Sequence, residues 1–279
     1  MSLHDECLAA AEADGLTAGR RIAEFVPTAT FLAVVLDDGS AGWSLSYAGL
    51  PPAEAARRFD AVRSDSVDAL LRDRLFPANG TDAFASALRV ALLAALAAPV
   101  WRQPARFGFT AHEGVPDALI DAAERALVIG FGGLMFSLLA RPALTGLHVA
   151  DLTYPDRRAE MEAVRDTMAL ARPGTAISLS DGADWRERLA RADVVAITGS
   201  ALANGSMDAL LAAPLDGKVV LVQGQSAAVH PAPLFRRGVA AVLSPIRPAE
   251  MLEAARRDPT GAALAEWVEG GRTAVCLRP

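Results

Sequence analysis

The sequence predicts an α/β protein in two parts: a smaller α+β domain over residues 1–105 and a Rossmann-like parallel-sheet domain over residues 106–279. Three observations predict it. Beyond Ala126, short apolar runs alternate with helix-forming segments, and the runs lack the every-second-residue polarity of a strand with one wet face. Loops rich in Gly, Ser and Asn follow several of these runs directly. Between the two parts, residues 101–116 carry Pro104, Gly108, Gly114 and Pro116, the composition of a linker.

Taken in order, residues 8–25 have helical composition. Leu8, Ala11, Leu16 and Ile22 supply an apolar face, Gly15 and Gly19 weaken the middle, and Pro27 ends it. Residues 30–36 (TFLAVVL) predict a strand, Asp37-Asp38-Gly39-Ser40 a turn, and 42–47 (GWSLSY) a second, alternating strand, together a β-hairpin. Helices are expected over 52–59, 64–75 and 81–98. The last carries Leu88, Leu92 and Leu96 on one stripe, with Thr81 and Asp82 as its cap. A short strand is expected over 106–109 and a helix over 117–125. Strands then follow at 126–129, 147–152, 176–179, 193–198, 218–223 and 238–243, with helices at 134–140, 157–170, 184–191, 207–213 and 249–256. The pattern is that of a doubly wound sheet with right-handed crossovers.

Composition narrows the function. The net charge is -6 and the basic residues form no cluster, Lys218 being the only lysine, so a nucleic-acid partner is not expected. Cys7 and Cys276 lie near opposite termini and fit neither zinc nor redox spacing. Residues 1–14 are acidic and Ala-rich, unlike an export signal, and the longest apolar run, 90–100, falls short of the roughly 18 residues of a membrane span. A cytoplasmic protein without a membrane partner is therefore expected, and its Ala-rich helices leave a homodimer open.

In a doubly wound sheet, ligands bind beyond the carboxyl ends of the strands, where the strand order reverses. Three loops compete for that place. Gly130-Phe131-Gly132-Gly133 could let backbone N–H groups approach an anion, and Asp151 stands at a strand end about 20 residues on, where a dinucleotide enzyme keeps its ribose-binding acid. The G-x-G-x-x-G spacing is not met, because Met135 fills the sixth place, so a plain tight turn is the competing reading. The second loop, residues 198–208, gathers Thr198, Gly199, Ser200, Asn204, Gly205 and Ser206 after a fully apolar strand. Ser206 there is also a candidate cap for the next helix, and turn chemistry alone is the alternative. The third is Gly224-Gln225-Ser226, with His230 shortly after as a candidate acid, base or metal ligand. His112 beside Glu113 is a similar candidate, His148 reads as a packed strand residue, and His4 as surface. No H-E-x-x-H, C-x-x-C, P-loop or G-x-S-x-G pattern occurs.

The order of these loops is recognisable. ALVIGFGG at 126–133, Asp151, ADVVAITGSALANGSMDALL at 192–211 and VVLVQGQSAAVHPAPLFRRGV at 219–239 resemble the "Putative heavy-metal chelation" family, a bacterial and archaeal family of unknown function. Residues 6–98 resemble its companion domain, which has an enolase-N-terminal-like fold. The resemblance implies a ligand in the cleft between the two domains, lined by Gly130, Thr198, Gly199, Ser200, Asn204 and Ser226. The chain departs from the family where Gln225 replaces a usual Pro, where Ser206 replaces a frequent Thr, and where Ala94-Ala95-Leu96 replaces an expected Asn-Ala pair. The last change could remove a polar group from the cleft, so ligand identity need not transfer.

The expectation is a small-molecule-binding protein of heavy-metal chelation or of the metabolism of a metal-binding metabolite. Its ligand-binding set is Gly130, Gly132, Asp151, Thr198, Gly199, Ser200, Asn204, Ser206, Gly224 and Ser226, with His230 the catalytic candidate should there be a reaction. Any divalent metal would arrive carried by the ligand. The alternative is an enzyme holding NAD(P) or a similar nucleotide on Gly130 to Gly133.

Overall fold

The computed structural model describes residues 1–46, 50–63, 66–74, 82–245, 249–261 and 274–279. The chain opens with helix α1 (Leu3–Ala13), fixed at its start by a capping box between Ser2 and Asp5. The helix expected over 8–25 stops at this point. Gly15 and Gly19 take left-handed backbone angles (φ 70° and 71°), which break the helix, and the apolar residues beyond them form strand β1 (Ile22–Pro27) instead. Pairing with β2 (Phe31–Leu36) satisfies the backbone there, so tertiary context overrides helical composition. With β3 (Ala41–Leu45) these strands make a three-stranded antiparallel sheet in the order β1-β2-β3.

Helix α2 (Pro52–Asp60) follows as expected. The helix expected over 64–75 is a short α3 (Val67–Ala69), capped by Ser66 and continued as a wide π turn over Leu70–Arg74. The expectations for Tyr47, Ser64, Leu75 and Thr81 lie outside the described residues. Asp82 caps the long helix α4 (Ala83–Arg102), accepting from the amides of Phe84 and Ala85. By length and composition α4 could cross a membrane, but most of it is buried in the fold. Ser86 and Arg89 hid that length in the sequence, and Arg89 is buried in an ion pair with Asp5 at 2.6 Å.

The strand expected over 106–109 is a 3-10 turn (Pro104–Phe107), and the real strand, β4 (Thr110–Glu113), comes just after it. Residues 117–125 give one 3-10 turn (Asp117–Leu119), not a helix. Six parallel strands then build the main sheet: β5 (Arg125–Ile129), β6 (Gly146–Ala150), β7 (Ala176–Ser180), β8 (Val194–Thr198), β9 (Val219–Gln223) and β10 (Val239–Pro245). A last strand, β11 (Ala274–Arg278), pairs antiparallel with β10, and β4 pairs antiparallel with β11 at the edge. The eight-stranded order is β4-β11-β10-β9-β8-β5-β6-β7. Counted from β5, the parallel part runs 3-2-1-4-5-6, so the order reverses between β5 and β8.

Helices α5 (Leu134–Leu139) and α6 (Arg158–Ala171) cover one face, packing Leu134, Leu138 and Met168 against Val128, Leu147 and Val149. The other face buries Leu127, Val195, Ile197, Val220 and Val222 beneath α8 (Ser200–Ala203), α9 (Met207–Leu211) and α10 (Ala232–Arg236), beside α7 (Trp185–Arg191). That core continues without a break into α1, α3 and α4 of the N-terminal part. Contact between α4 and the small sheet is backbone to backbone. A Cβ on Gly42 of β3 would overlap the carbonyl of Ala91 and the amide of Ala95, so only glycine fits. Helix α11 (Ala249–Arg257) closes the outer face of the small sheet, with Met251 and Ala255 against Val26 and Trp43.

Candidate functional site

The reversal point is built by the loops after β5, β8 and β9. Gly130 ends β5 in a conformation (φ 91°) that side chains rarely adopt, and a Cβ there would lie 2.9 Å from Thr198 Cβ and 2.8 Å from Thr198 Cγ2. A Cβ on Gly132 would lie 3.2 Å from the same methyl, and one on Gly133 3.4 Å from Gln223 Nε2. Gly199 packs with the same closeness on Ala227, the end of a 3-10 turn (Gln225–Ala227), and its amide donates to the carbonyl of Gln223. The three loops are therefore in direct contact, and glycine is what lets the backbones meet. Thr198 and Ser200 share a short hydroxyl–hydroxyl hydrogen bond at this junction.

The third loop also reaches the N-terminal part. Ser226 is buried, and its Oγ accepts a 2.9 Å hydrogen bond from the amide of Leu45 at the end of β3. Gly224 sits with φ 128° directly before it. Gly130, Gly132, Thr198, Gly199, Ser200, Gly224 and Ser226 thus converge.

Asn204 and Ser206 do not join them. Asn204 is exposed beyond the far end of α8, where its Oδ1 accepts from the amide (3.0 Å) and hydroxyl (2.7 Å) of Ser206. The hydroxyl is held there, so Ser206 makes no side-chain cap on α9, contrary to expectation. The next carboxylate, Asp208, accepts from the amide of Leu3 (3.0 Å) and from Arg237 (2.5 Å), latching the start of α1 to the second half.

Asp151 stands after β6 and holds the glycine loop shut. One oxygen accepts from the amide of Phe131 (2.6 Å), the other from the amide (2.7 Å) and hydroxyl (2.5 Å) of Thr153. A carboxylate engaged on both oxygens is poorly placed to take a ribose as well, and α5, the helix after the loop, has only six residues. His230 is committed too. Its Nδ1 accepts from the amide of Ala232 (3.3 Å), which puts the proton on Nε2, facing Asp14 at 2.9 Å. Burial outweighs Asp14 and pushes its pKa down, so the ring is a neutral brace at the start of α10. His112 lies on the exposed edge strand β4.

One residue the sequence reading passed over is central. Gln223 closes the apolar strand KVVLVQ, and its side-chain oxygen Oε1 is buried with no hydrogen-bond partner among the described residues. A polar residue ending an otherwise apolar strand at the reversal point was the available signal. Gln223 lines a cavity of about 10 Å³ with Val128, Gly132, Leu134, Ala196, Ile197 and Thr198, room for about one water.

The donor set does not suit a soft heavy metal as a direct ligand. It offers hydroxyls, an amide oxygen and backbone groups, where such metals favour thiolate or imidazole. Burial pushes the Cys7 thiol up to about 12 and that of Cys276 up to about 11, which keeps both protonated at neutral pH. Among the described residues no three His, Cys, Asp or Glu side chains group so as to hold a metal ion.

No curated protein matches the chain. A protein of unknown function from the DUF364 family of Pyrococcus horikoshii has a similar solved structure, with 16% identity, a TM-score of 0.65 and coverage of 99% of each chain. A second DUF364 structure of unknown function, from Desulfitobacterium hafniense, has 14% identity and a TM-score of 0.61, covering 98% of this chain and 97% of its own. Residues 171–262, which hold the loops after β8 and β9, match the family model DUF364, described as "Putative heavy-metal chelation", on a chain that shares the fold of these two solved members.

Proposed function

We propose that the protein binds a small polar metabolite at the reversal point between β5 and β8, in the service of metal handling, with any divalent metal carried on that metabolite. The observation that carries this reading is the orphaned Oε1 of Gln223. A buried amide oxygen without a donor costs about 1–3 kcal/mol, and the adjoining cavity has room for one donor, a water that a ligand N–H or O–H would displace at this junction of three glycine loops. Thr198 and Ser200 add hydroxyls at the same junction. The cavity takes one functional group of the ligand, and the rest of the molecule lies outside, against the rim of the glycine loop. The family description supports the link to metal chemistry, and the donor set supports an organic ligand over a bare ion. The nucleotide alternative has less support, because Asp151 is occupied in closing its loop.

A thermal-shift and calorimetric screen tests this, using nickel alone, histidine alone, nickel–histidine, and NAD(P). The expected result is stabilisation by the complex beyond that by either component, weakened about 10-fold or more in Thr198→Val and in Gln223→Leu. A shift produced by NAD(P), or one by nickel alone that both variants retain, overturns the reading.

A further inference from the structure

The sheet carries a second polar constellation, on the other flank of the reversal point. Leu127, His148 and Ser178 stand side by side across β5, β6 and β7, paired in register. They floor a groove of about 480 Å³ that opens toward the strand starts, away from the loops described above. Arg125, Arg188 and Arg191 line it together with small and apolar residues, so among the described residues every charged side chain on its wall is an arginine. Its volume lies within the range of small-molecule sites.

Hydrogen-bond directions on the groove floor follow from one carboxylate. Asp184 accepts from Arg188 Nε (2.8 Å) and from the hydroxyl of Ser180 (2.7 Å). Burial alone would raise its pKa, but the bonds from Arg188 and Ser180 bring it to about 2, so it only accepts. The Ser180 proton is thus committed to Asp184. Ser180 Oγ, which also accepts from the amide of Gly182 (3.3 Å), lies 3.0 Å from His148 Nε2, and Asp184 Oδ1 lies 3.5 Å from the same nitrogen; neither has a proton to give it, so Nε2 carries its own. His148 then carries no proton on Nδ1. Ser178 Oγ, 2.7 Å away, donates its own proton there. The ring is buried, which pushes its pKa down and keeps it neutral. Ser178 therefore shows the groove only lone pairs: it can accept a hydrogen bond and cannot donate one.

The rim has the opposite character. Arg188 is committed to Asp184, and Arg191 pairs with Glu187 at 3.0 Å in solvent, a weak and exchangeable bond. The Arg125 guanidinium makes no hydrogen bond or ion pair among the described residues and is left to bind an anion.

We propose that this groove is a second ligand site, for a small organic acid that also bears a hydroxyl or amino group: Arg125 and Arg191 hold the carboxylate, and Ser178 Oγ accepts from the hydroxyl or amine. The test is calorimetric titration of the full chain with malate and with succinate, which differ by one hydroxyl. Malate is expected to bind about 10-fold more tightly than succinate. Ser178→Ala lowers malate to the succinate level and leaves succinate unchanged, and Arg125→Gln, on the rim, weakens both. Thr198→Val changes neither, which separates this groove from the reversal-point site. Equal affinity for the two acids, no binding of either at millimolar concentration, or a malate preference that survives Ser178→Ala overturns the proposal. If Ser178→Ala fails to fold, Arg125→Gln decides: undiminished binding of both acids in that variant overturns it.

Discussion

An alanine at Gly130 would meet two separate obstacles, and they can be measured apart. The backbone there has φ 91°, where an L-residue pays roughly 1–2 kcal/mol. The new Cβ would also overlap the side chain of Thr198, lying 2.8 Å from its Cγ2 and closer still to its Oγ1, and overpacking of that kind adds about 1–3 kcal/mol. Gly130→Ala should therefore destabilise by about 2–5 kcal/mol, on the order of 10 °C in Tm for a chain of this size. Thr198→Ala removes both the hydroxyl and the methyl. In that background the same glycine substitution should lose its clash with the hydroxyl and the methyl and keep only the 2.9 Å approach to the Cβ, leaving a coupling of about 1–2 kcal/mol between the two positions. Equilibrium urea unfolding of the four proteins in the cycle measures it. A Gly132→Ala control, with normal φ and a Cβ 3.2 Å from the Thr198 methyl, should cost less than about 1 kcal/mol. If Gly130→Ala is equally damaging with and without the Thr198 side chain, the loops after β5 and β8 do not touch as described, and the reversal-point site goes with them.

Acid should expose a second dependence, at His4, which reads as surface in the sequence and is half-buried in the fold. Burial, then Arg89, pushes His4 from 6.5 to about 4, so the fold holds it neutral while the unfolded chain protonates it near 6.5. Its folded pKa is depressed, so stability is full above pH 6.5 and falls between pH 6.5 and 4, by about 3 kcal/mol from this residue. His4→Gln should flatten that part of the profile in urea titrations at pH 7 and pH 4, and an unchanged slope would disprove the assignment. His148 and His230 are shifted the same way and keep some slope in the variant. Ser226→Ala strips the Leu45 amide of its acceptor and should cost about 1–3 kcal/mol, with faster hydrogen exchange at that amide; unaltered exchange would show that the strut is not formed. Gln223→Leu replaces the orphaned oxygen with an apolar group of similar size, and should leave unliganded stability nearly unchanged or raised while ligand affinity falls. A loss of more than about 2 kcal/mol in the absence of ligand would mean the amide is structurally satisfied after all.

The parallel strands were legible because burial on both faces leaves an unbroken apolar run, as in Val194–Thr198 and Val219–Gln223. The two antiparallel additions were not. Thr110–Glu113 is exposed along its whole length and has no apolar pattern to find, and Ala274–Arg278 gains its meaning only from pairing with β10. Strand β1 was hidden for another reason: Ile22 extends the stripe of Leu8, Ala11 and Leu16, and Gly15 and Gly19 read as weak points of one helix where they in fact end it. At the site, glycines were readable because close approach of backbones admits nothing else. Asn204 and Ser206 misled because a solvent-facing turn and a binding loop use the same residue types, and only the path of α8 separates them. Gln223 was missed because one amide at a strand end has no motif.

The backbone-to-backbone seat of Gly42 on α4 ties that helix to the small sheet, so the N-terminal part can move only as one piece. A hinge between the two parts would instead have to draw α4 and β3 away from α8 and the Gln225–Ala227 turn, break the Leu45–Ser226 hydrogen bond and wet the shared apolar core. The two parts are thus one cooperative unit, and cutting the chain near residue 105 should yield fragments that precipitate. Entry to a reversal-point site would then fall to the short span of Gly130 to Gly133, and opening it would break the bonds of Phe131 to Asp151 and of Gly130 to the carbonyl of Ala150.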